Sequence, residues 1–311
     1  MRIDVGASSD IGQVREGNED AYLILDPLFA VADGMGGHRG GEVASNLALE
    51  IVRSRFEGRE GSLTEQVEAA NREVFERSQA DREVSGMGTT LTAALVEGEQ
   101  VRLAHVGDSR AYLFRDGELH LLTEDHTLVH RMVQEGEITA EEAETHPHRS
   151  ILTRALGVDE AVQVDEALVR IRPRDRLLLC TDGLTGMIGD EAIRAVLAET
   201  ADPQQAVERL VRSANRSGGV DNITAVILDV RDDDHADGPG GGEGGARERH
   251  GATARPTERH PLATPTIPVD LDEAGPPSRP KARSGGRVLR TVGLGAGVTL
   301  AVVLVGMVLL R

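Results

Sequence analysis

Up to about residue 230, the apolar and polar positions of this chain fall into two rhythms. Apolar runs and period-two alternation predict strands over 3–8, 21–25, 29–32, 89–96, 101–106, 111–115, 119–122, 163–171, 176–181 and 223–230. Apolar positions spaced three and four apart predict helices over 42–56, 63–79, 128–136, 140–145, 191–198 and 203–215. Ser62 with Glu65 and Thr139 with Glu142 read as capping boxes, in which side chain and backbone satisfy each other's open donors. Asp202-Pro203 reads as a cap followed by a proline placed where no N–H is needed. In "EQVRLAHVGDSRAYLFRDGELHLL" strands follow one another directly, with Asp116-Gly117 as a hairpin turn. That succession predicts an α+β fold with antiparallel sheets rather than a doubly wound parallel sheet.

After Val230 the rhythm stops. Residues 231–287 are rich in Gly, Pro, Arg, Asp and Glu, as in "DGPGGGEGGARE". Such a segment buries too little apolar surface to offset its ordering entropy, so a disordered linker is expected. It ends in a basic cluster of Arg279, Lys281, Arg283, Arg287 and Arg290. Next comes "TVGLGAGVTLAVVLVGMVLL", residues 291–310, without a charge. As a helix it reaches roughly 30 Å, the thickness of the hydrocarbon core. A single transmembrane helix within 288–311 is therefore expected. The basic cluster ahead of it and the lack of an apolar export segment in "MRIDVGASSD" predict a single-pass cell-membrane protein with residues 1–230 in the cytoplasm.

Composition narrows the function. The formal charge of −18 argues against a nucleic-acid partner, which requires a basic footprint. Lys281 is the sole lysine, so residues 1–280 hold no lysine for a Walker A loop or a protein-kinase phosphate clamp. One cysteine, Cys180, permits neither an internal disulfide nor a Cys-rich zinc site, and its apolar neighbours mark it as a small core residue.

The chemistry lies in the acids at strand ends. Asp33-Gly34, Asp108, Asp182-Gly183 and Asp221-Asn222 each follow or precede an apolar run, and "VREGNEDAY" puts Arg15 shortly before Asp20. A single such aspartate is explained by a turn or cap. Several of them converging on one place are not. Two carboxylates about 4 Å apart repel by roughly 4 kcal/mol at an effective dielectric near 20. A divalent cation relieves that repulsion, and an all-oxygen ligand set suits Mg²⁺ or Mn²⁺ better than zinc. An arginine fork beside the cations completes the equipment of a hydrolytic phosphatase.

These residues bring the chain to a known family. "SDIGQVREGNEDAY", "VADGMGGHRGGEVAS", "GMGTTLTAAL", "VGDSRAYLFRDGEL", "TEDHTLVHRMVQEGEIT", "HPHRSILTRALG", "LLLCTDGLTGMI" and "GGVDNITAVILDV" occur in that order. Together they closely resemble the bacterial branch of metal-dependent serine/threonine protein phosphatases (PPM), the protein phosphatase 2C type. The resemblance implies a catalytic domain over 1–230, built as a four-layer α-β-β-α sandwich with two central antiparallel sheets. It also implies a site for two Mn²⁺ or Mg²⁺ ions, with a third held more weakly. Asp33 would bridge both metals, the Gly34 carbonyl would bind one, and Asp182 and Asp221 would complete the other. Asp108 would join Asp182 at the third metal, while Asp20 and Glu19 would hold metal-bound water from behind. Arg15 would bind the phosphate, and residues 126–157 would form a mobile flap beside the cleft. Met35 stands where some members have a histidine proposed as general acid, which leaves a bound water as the expected proton donor.

The implied activity is hydrolysis of phosphoserine and phosphothreonine on cytoplasmic proteins, by a metal-activated hydroxide attacking phosphorus in line. The expected partners are membrane Ser/Thr kinases and their substrates. Two alternatives differ in class. One is a phosphatase specialised for a regulatory phosphoprotein such as an anti-anti-sigma factor. The other is a non-catalytic phosphatase-like binding module, which usually lacks some of the metal acids that are all present here.

Overall fold

A computed structural model describes residues 1–232 and 268–269 of the chain. The first half contains β1 (Arg2–Asp10), β2 (Asp20–Leu25), β3 (Leu28–Met35), α1 (Gly37–Glu57), α2 (Leu63–Ala80), β4 (Gly88–Thr89), β5 (Leu91–Glu97) and β6 (Gln100–Val106). Then follow β7 (Arg110–Arg115), β8 (Glu118–Leu121), α3 (Leu128–Gln134), α4 (Ala140–Glu144), β9 (Asp165–Arg170) and β10 (Arg176–Cys180). The remainder is α5 (Asp182–Thr185), α6 (Asp190–Glu199), α7 (Pro203–Arg216), β11 (Ile223–Arg231) and β12 (Pro268–Val269). Strands β1, β11, β10, β7 and β8 form a five-stranded sheet in that order. A seven-stranded sheet runs β12, β9, β6, β5, β3, β2, with β4 added to β3. Each strand pairing is antiparallel except that of β12 on β9.

The period-two alternation sorts side chains between layers. On β3, Leu28, Ala30 and Ala32 pack with Val52 of α1 and Val67 and Val74 of α2. Their neighbours Phe29 and Val31 turn the other way, onto Leu177, Leu179, Val226 and Leu228 of the five-stranded sheet. On β11, Ala225 and Ile227 meet Ile193 of α6 and Leu210 of α7. The layer order is therefore helix, sheet, sheet, helix. Strands covered on both faces explain the nearly unbroken apolar runs. Each fully buried Leu, Val or Ile contributes about 1.5–3 kcal/mol. Cys180 is one of these core residues, and burial pushes its thiol up to about 12.

Both capping boxes form, with Ser62 accepting from the Glu65 N–H and Thr139 from the Glu142 N–H. Asp202 caps α7 with Pro203 in its first turn. Asp116 and Gly117 both take positive φ, 54° and 87°, as a tight two-residue hairpin requires.

The structure departs from the sequence pattern in four places. Helix α1 starts at Gly37, earlier than the expected 42, because glycines that read as loop are needed for contact. A Cβ on Gly34 would come within 2.1 Å of the Gly41 carbonyl oxygen, and one on Gly41 within 2.4 Å of the Glu19 carboxylate. The expected strand 89–96 is split: Thr89 pairs with Leu156 while β5 begins at Leu91. The turn after β10 is the short helix α5. Strand β12 falls within 231–287, where composition predicted no element. No helix among the described residues is long and apolar enough to cross a membrane. The expected span over 291–310 lies outside the described residues, as does nearly all of the expected linker.

Candidate active site

One end of the sandwich collects the acids. Asp20, at the start of β2, is the register partner of Asp33, near the end of β3. From the other sheet, Asp182 follows β10 and Asp221 precedes β11, on neighbouring strands where Cys180 pairs with Ala225. Asp108 sits in the turn from β6 to β7, which carries the chain between the sheets. Arg15 comes from the connection between β1 and β2. Asp33, Gly34, Asp108, Asp182, Asp221, Glu19 and Arg15 all line one cavity of about 550 Å³. Asp20 is not at its surface but is buried behind it.

Polar side chains fix this arrangement. The Asp33 N–H donates to the Thr90 hydroxyl oxygen at 2.9 Å, and Thr90 in turn meets the Ser109 hydroxyl at 2.7 Å. Thr90 thus ties the strand of Asp33 to the turn of Asp108. Asn222 does the same for the Arg15 loop. Its Nδ2 donates to the carbonyls of Ile11 at 3.0 Å and Gly17 at 2.9 Å, and its Oδ1 accepts the Glu19 N–H at 2.8 Å. Gly183 permits the close approach of α5 to this segment, since a Cβ there would lie 1.9 Å from the Asn222 carbonyl oxygen. Arg15 Nη2 donates to Asp221 Oδ2 at 2.7 Å, with about half of the arginine side chain exposed. Behind the cavity, the Thr181 hydroxyl donates to Asp20 Oδ2 at 2.8 Å.

Electrostatically the cavity is short of positive charge. Burial, then the charges of Asp20, Asp182 and Asp108, holds the Asp33 carboxyl well above the usual range. Asp108 is raised in the same way by burial and by Asp182. Asp182 is raised by burial and by Asp221, with a hydrogen bond to Asp33 working the other way. Asp20 is pushed up to about 7 by burial first, against the lowering effect of the Thr224 and Thr181 hydroxyls. Its Oδ1 is buried and has no protein partner.

This donor set fits divalent cations. The acids are oxygen donors whose proton affinity is raised by burial and by one another's charge, and Asp20 Oδ1 is buried without a protein donor. Among the described residues no three acids, histidines or cysteines close round a single point. Cations held here would therefore complete their shells with water, as Mg²⁺ commonly does.

All the sequence-predicted site residues converge except Asp20, which stands behind the wall. Met35 lines the cavity. His126 accepts from the Gly107 N–H at 2.9 Å and meets Asp165 at 3.0 Å. From the expected flap, Ser150 and Leu152 reach the cavity, and Val14 joins them from the Arg15 loop. Thr90, Asn222 and Thr181 were not apparent from sequence, because their roles depend on register between strands far apart in the chain.

Comparison with known proteins decides the family. The pattern for protein phosphatase 2C matches residues 16–218. The chain belongs to the protein phosphatase 2C family. Within it, the serine/threonine phosphatase stp of Listeria monocytogenes serotype 4b is 38% identical over 235 residues, 71% of this chain and 93% of that protein. The serine/threonine protein phosphatase PstP of Mycobacterium tuberculosis is 43% identical over 234 residues, 74% of this chain but 45% of that longer protein. The catalytic domain of PstP, crystallised in complex with two manganese ions, superposes with a TM-score of 0.68 at 40% identity, covering 74% of this chain and 99% of that one. The two-sheet sandwich described above is thus a fold this chain shares with that structure.

Proposed function

We propose that this protein hydrolyses phosphoserine and phosphothreonine on other proteins at a site for two Mn²⁺ or Mg²⁺ ions, with Asp108 and Asp182 serving a third. The convergence of Asp33, Asp108, Asp182 and Asp221 with Arg15 on one cavity carries the reading. Asp33 and the Gly34 carbonyl would hold cations from the seven-stranded sheet, and Asp182 and Asp221 would hold them from the five-stranded sheet. Bound cations supply the counter-charge the acids lack and the Lewis acidity for attack by water at neutral pH. Arg15 presents its guanidinium fork to the phosphoryl oxygens and orients phosphorus for in-line displacement. Its contact with Asp221 shows that the guanidinium reaches the carboxylate cluster. Asp20 and Glu19 orient water from behind and beside the acids. Met35 offers no proton, so the leaving alkoxide takes its proton from water.

The charge-free segment over 291–310 and the basic cluster before it support a single membrane anchor with the catalytic domain on the cytoplasmic side. Membrane Ser/Thr kinases and their targets are then the nearest substrates. The test is phosphate release from a phosphothreonine peptide by the full-length chain, with Mn²⁺ or with chelator, beside Asp182→Asn. Mn²⁺-dependent release abolished by the substitution supports the hydrolase. Phosphoprotein binding without release identifies a binding module instead.

A further inference from the structure

Thr181 is fully buried at the end of β10, next to Asp182. Its hydroxyl oxygen accepts the Thr224 N–H at 3.0 Å, and its N–H donates to the Thr224 carbonyl at 3.0 Å. Both contacts fix the side chain against β11. The hydroxyl has one proton and two acceptors in range: Asp20 Oδ2 at 2.8 Å and the Thr224 carbonyl at 3.5 Å. The shorter contact takes the proton. A second path reaches the same acid. Asn18 Nδ2 donates to Ser9 Oγ at 2.8 Å, Ser9 Oγ meets Thr224 Oγ1 at 2.7 Å, and Asn18 Oδ1 accepts the Asp20 N–H at 3.2 Å. Backbone and one carboxylate oxygen of Asp20 are thereby held. Oδ1 is left buried and without a protein donor.

We infer that Thr181 is a positioning residue: its hydroxyl fixes the Asp20 carboxylate so that Oδ1 faces the cation site as the acceptor for coordinated water. The inference rests on the proposed cation site. A methyl group in place of the hydroxyl removes the donor to Asp20 Oδ2 and leaves the Thr224 N–H without that acceptor, and substitutions at such outer positions typically cost 10–100-fold in metal affinity.

The experiment is calorimetric titration of Mn²⁺ into the chelator-stripped full-length chain for wild type, Thr181→Val, Thr181→Ser, Asp20→Asn and Thr181→Val with Asp20→Asn. Thr181→Val weakens Mn²⁺ binding about 10–100-fold and Thr181→Ser stays within about threefold of wild type. In the Asp20→Asn background, Thr181→Val adds less than about twofold, because the two groups act as one. If thermal melts show Thr181→Val unfolded, Thr181→Ala replaces it in the same cycle. A serine variant as weak as the valine variant, or an equal loss with and without Asp20, assigns Thr181 a packing role and overturns the inference. Wild type that binds Mn²⁺ with Thr181→Val unchanged overturns it alone. Wild type that takes no Mn²⁺ overturns the cation site as well.

Discussion

Strand β10 begins at Arg176 and is followed at its far end by Asp182, and the two ends treat buried charge differently. At the Arg176 end, Arg176 Nε meets Asp229 at 2.6 Å across the register pair, and Arg115 grips Asp175 through Nε at 3.0 Å and Nη2 at 2.7 Å. Asp229 and Asp175 are 3% and 2% exposed. At the Asp182 end, Asp20 and Asp108 are each 8% exposed, Asp108 on the cavity wall with other acids and Asp20 buried behind it. Arg15, half-exposed, reaches this end through its contact with Asp221. Burial lifts Asp229 too, but Arg176 pulls against it. The structural acids carry their counter-charge within the chain, whereas the cavity acids leave room for one from outside.

That contrast predicts opposite responses to the same chemical change. The largest effect is at the paired end. Asp229→Asn leaves Arg176 buried without its anion and lowers stability by about 3–5 kcal/mol, read from urea unfolding, while activity per folded molecule stays at the wild-type level. At the cavity end, Asp182→Asn cuts Mn²⁺-dependent phosphopeptide hydrolysis at least about 100-fold without a comparable stability loss. Comparable stability losses at both ends would erase the distinction.

The pH dependence sharpens it. Asp20 keeps its proton up to about 7 in the native state, while in the unfolded chain it ionises near the ordinary carboxylate value of about 4. Between those values the native state binds a proton the unfolded state has lost, so this group's contribution to stability falls as pH rises. In chelator, wild type loses stability relative to Asp20→Asn over that window. The smallest effect is Asp33→Asn, which removes one member of the repelling set. It stabilises chelator-treated protein on the order of 1 kcal/mol, measured as a higher urea midpoint.

Much of this was legible in the sequence for a physical reason. Strands buried on both faces must be apolar at nearly every position, so β3, β10 and β11 announced themselves, and acids at their tips stood out against that background. The start of α1 did not, because Gly40 and Gly41 have low intrinsic helix propensity and are there for contact with Met87, Gly34 and Glu19. Thr90, Thr181 and Asn222 were equally silent. Threonines and asparagines are common in turns and strands, and their partners here lie across strand pairings that the linear order does not reveal.

The central claim is that cations replace protons among the cavity acids. Titrating Mn²⁺ into the metal-free full-length chain at pH 6.5–7, in buffers of different ionisation enthalpy (about 1 to 10 kcal/mol), tests it directly. The account predicts binding accompanied by net proton release, so the observed heat shifts with the buffer. Absence of binding, or binding with the same heat in each buffer, would contradict it.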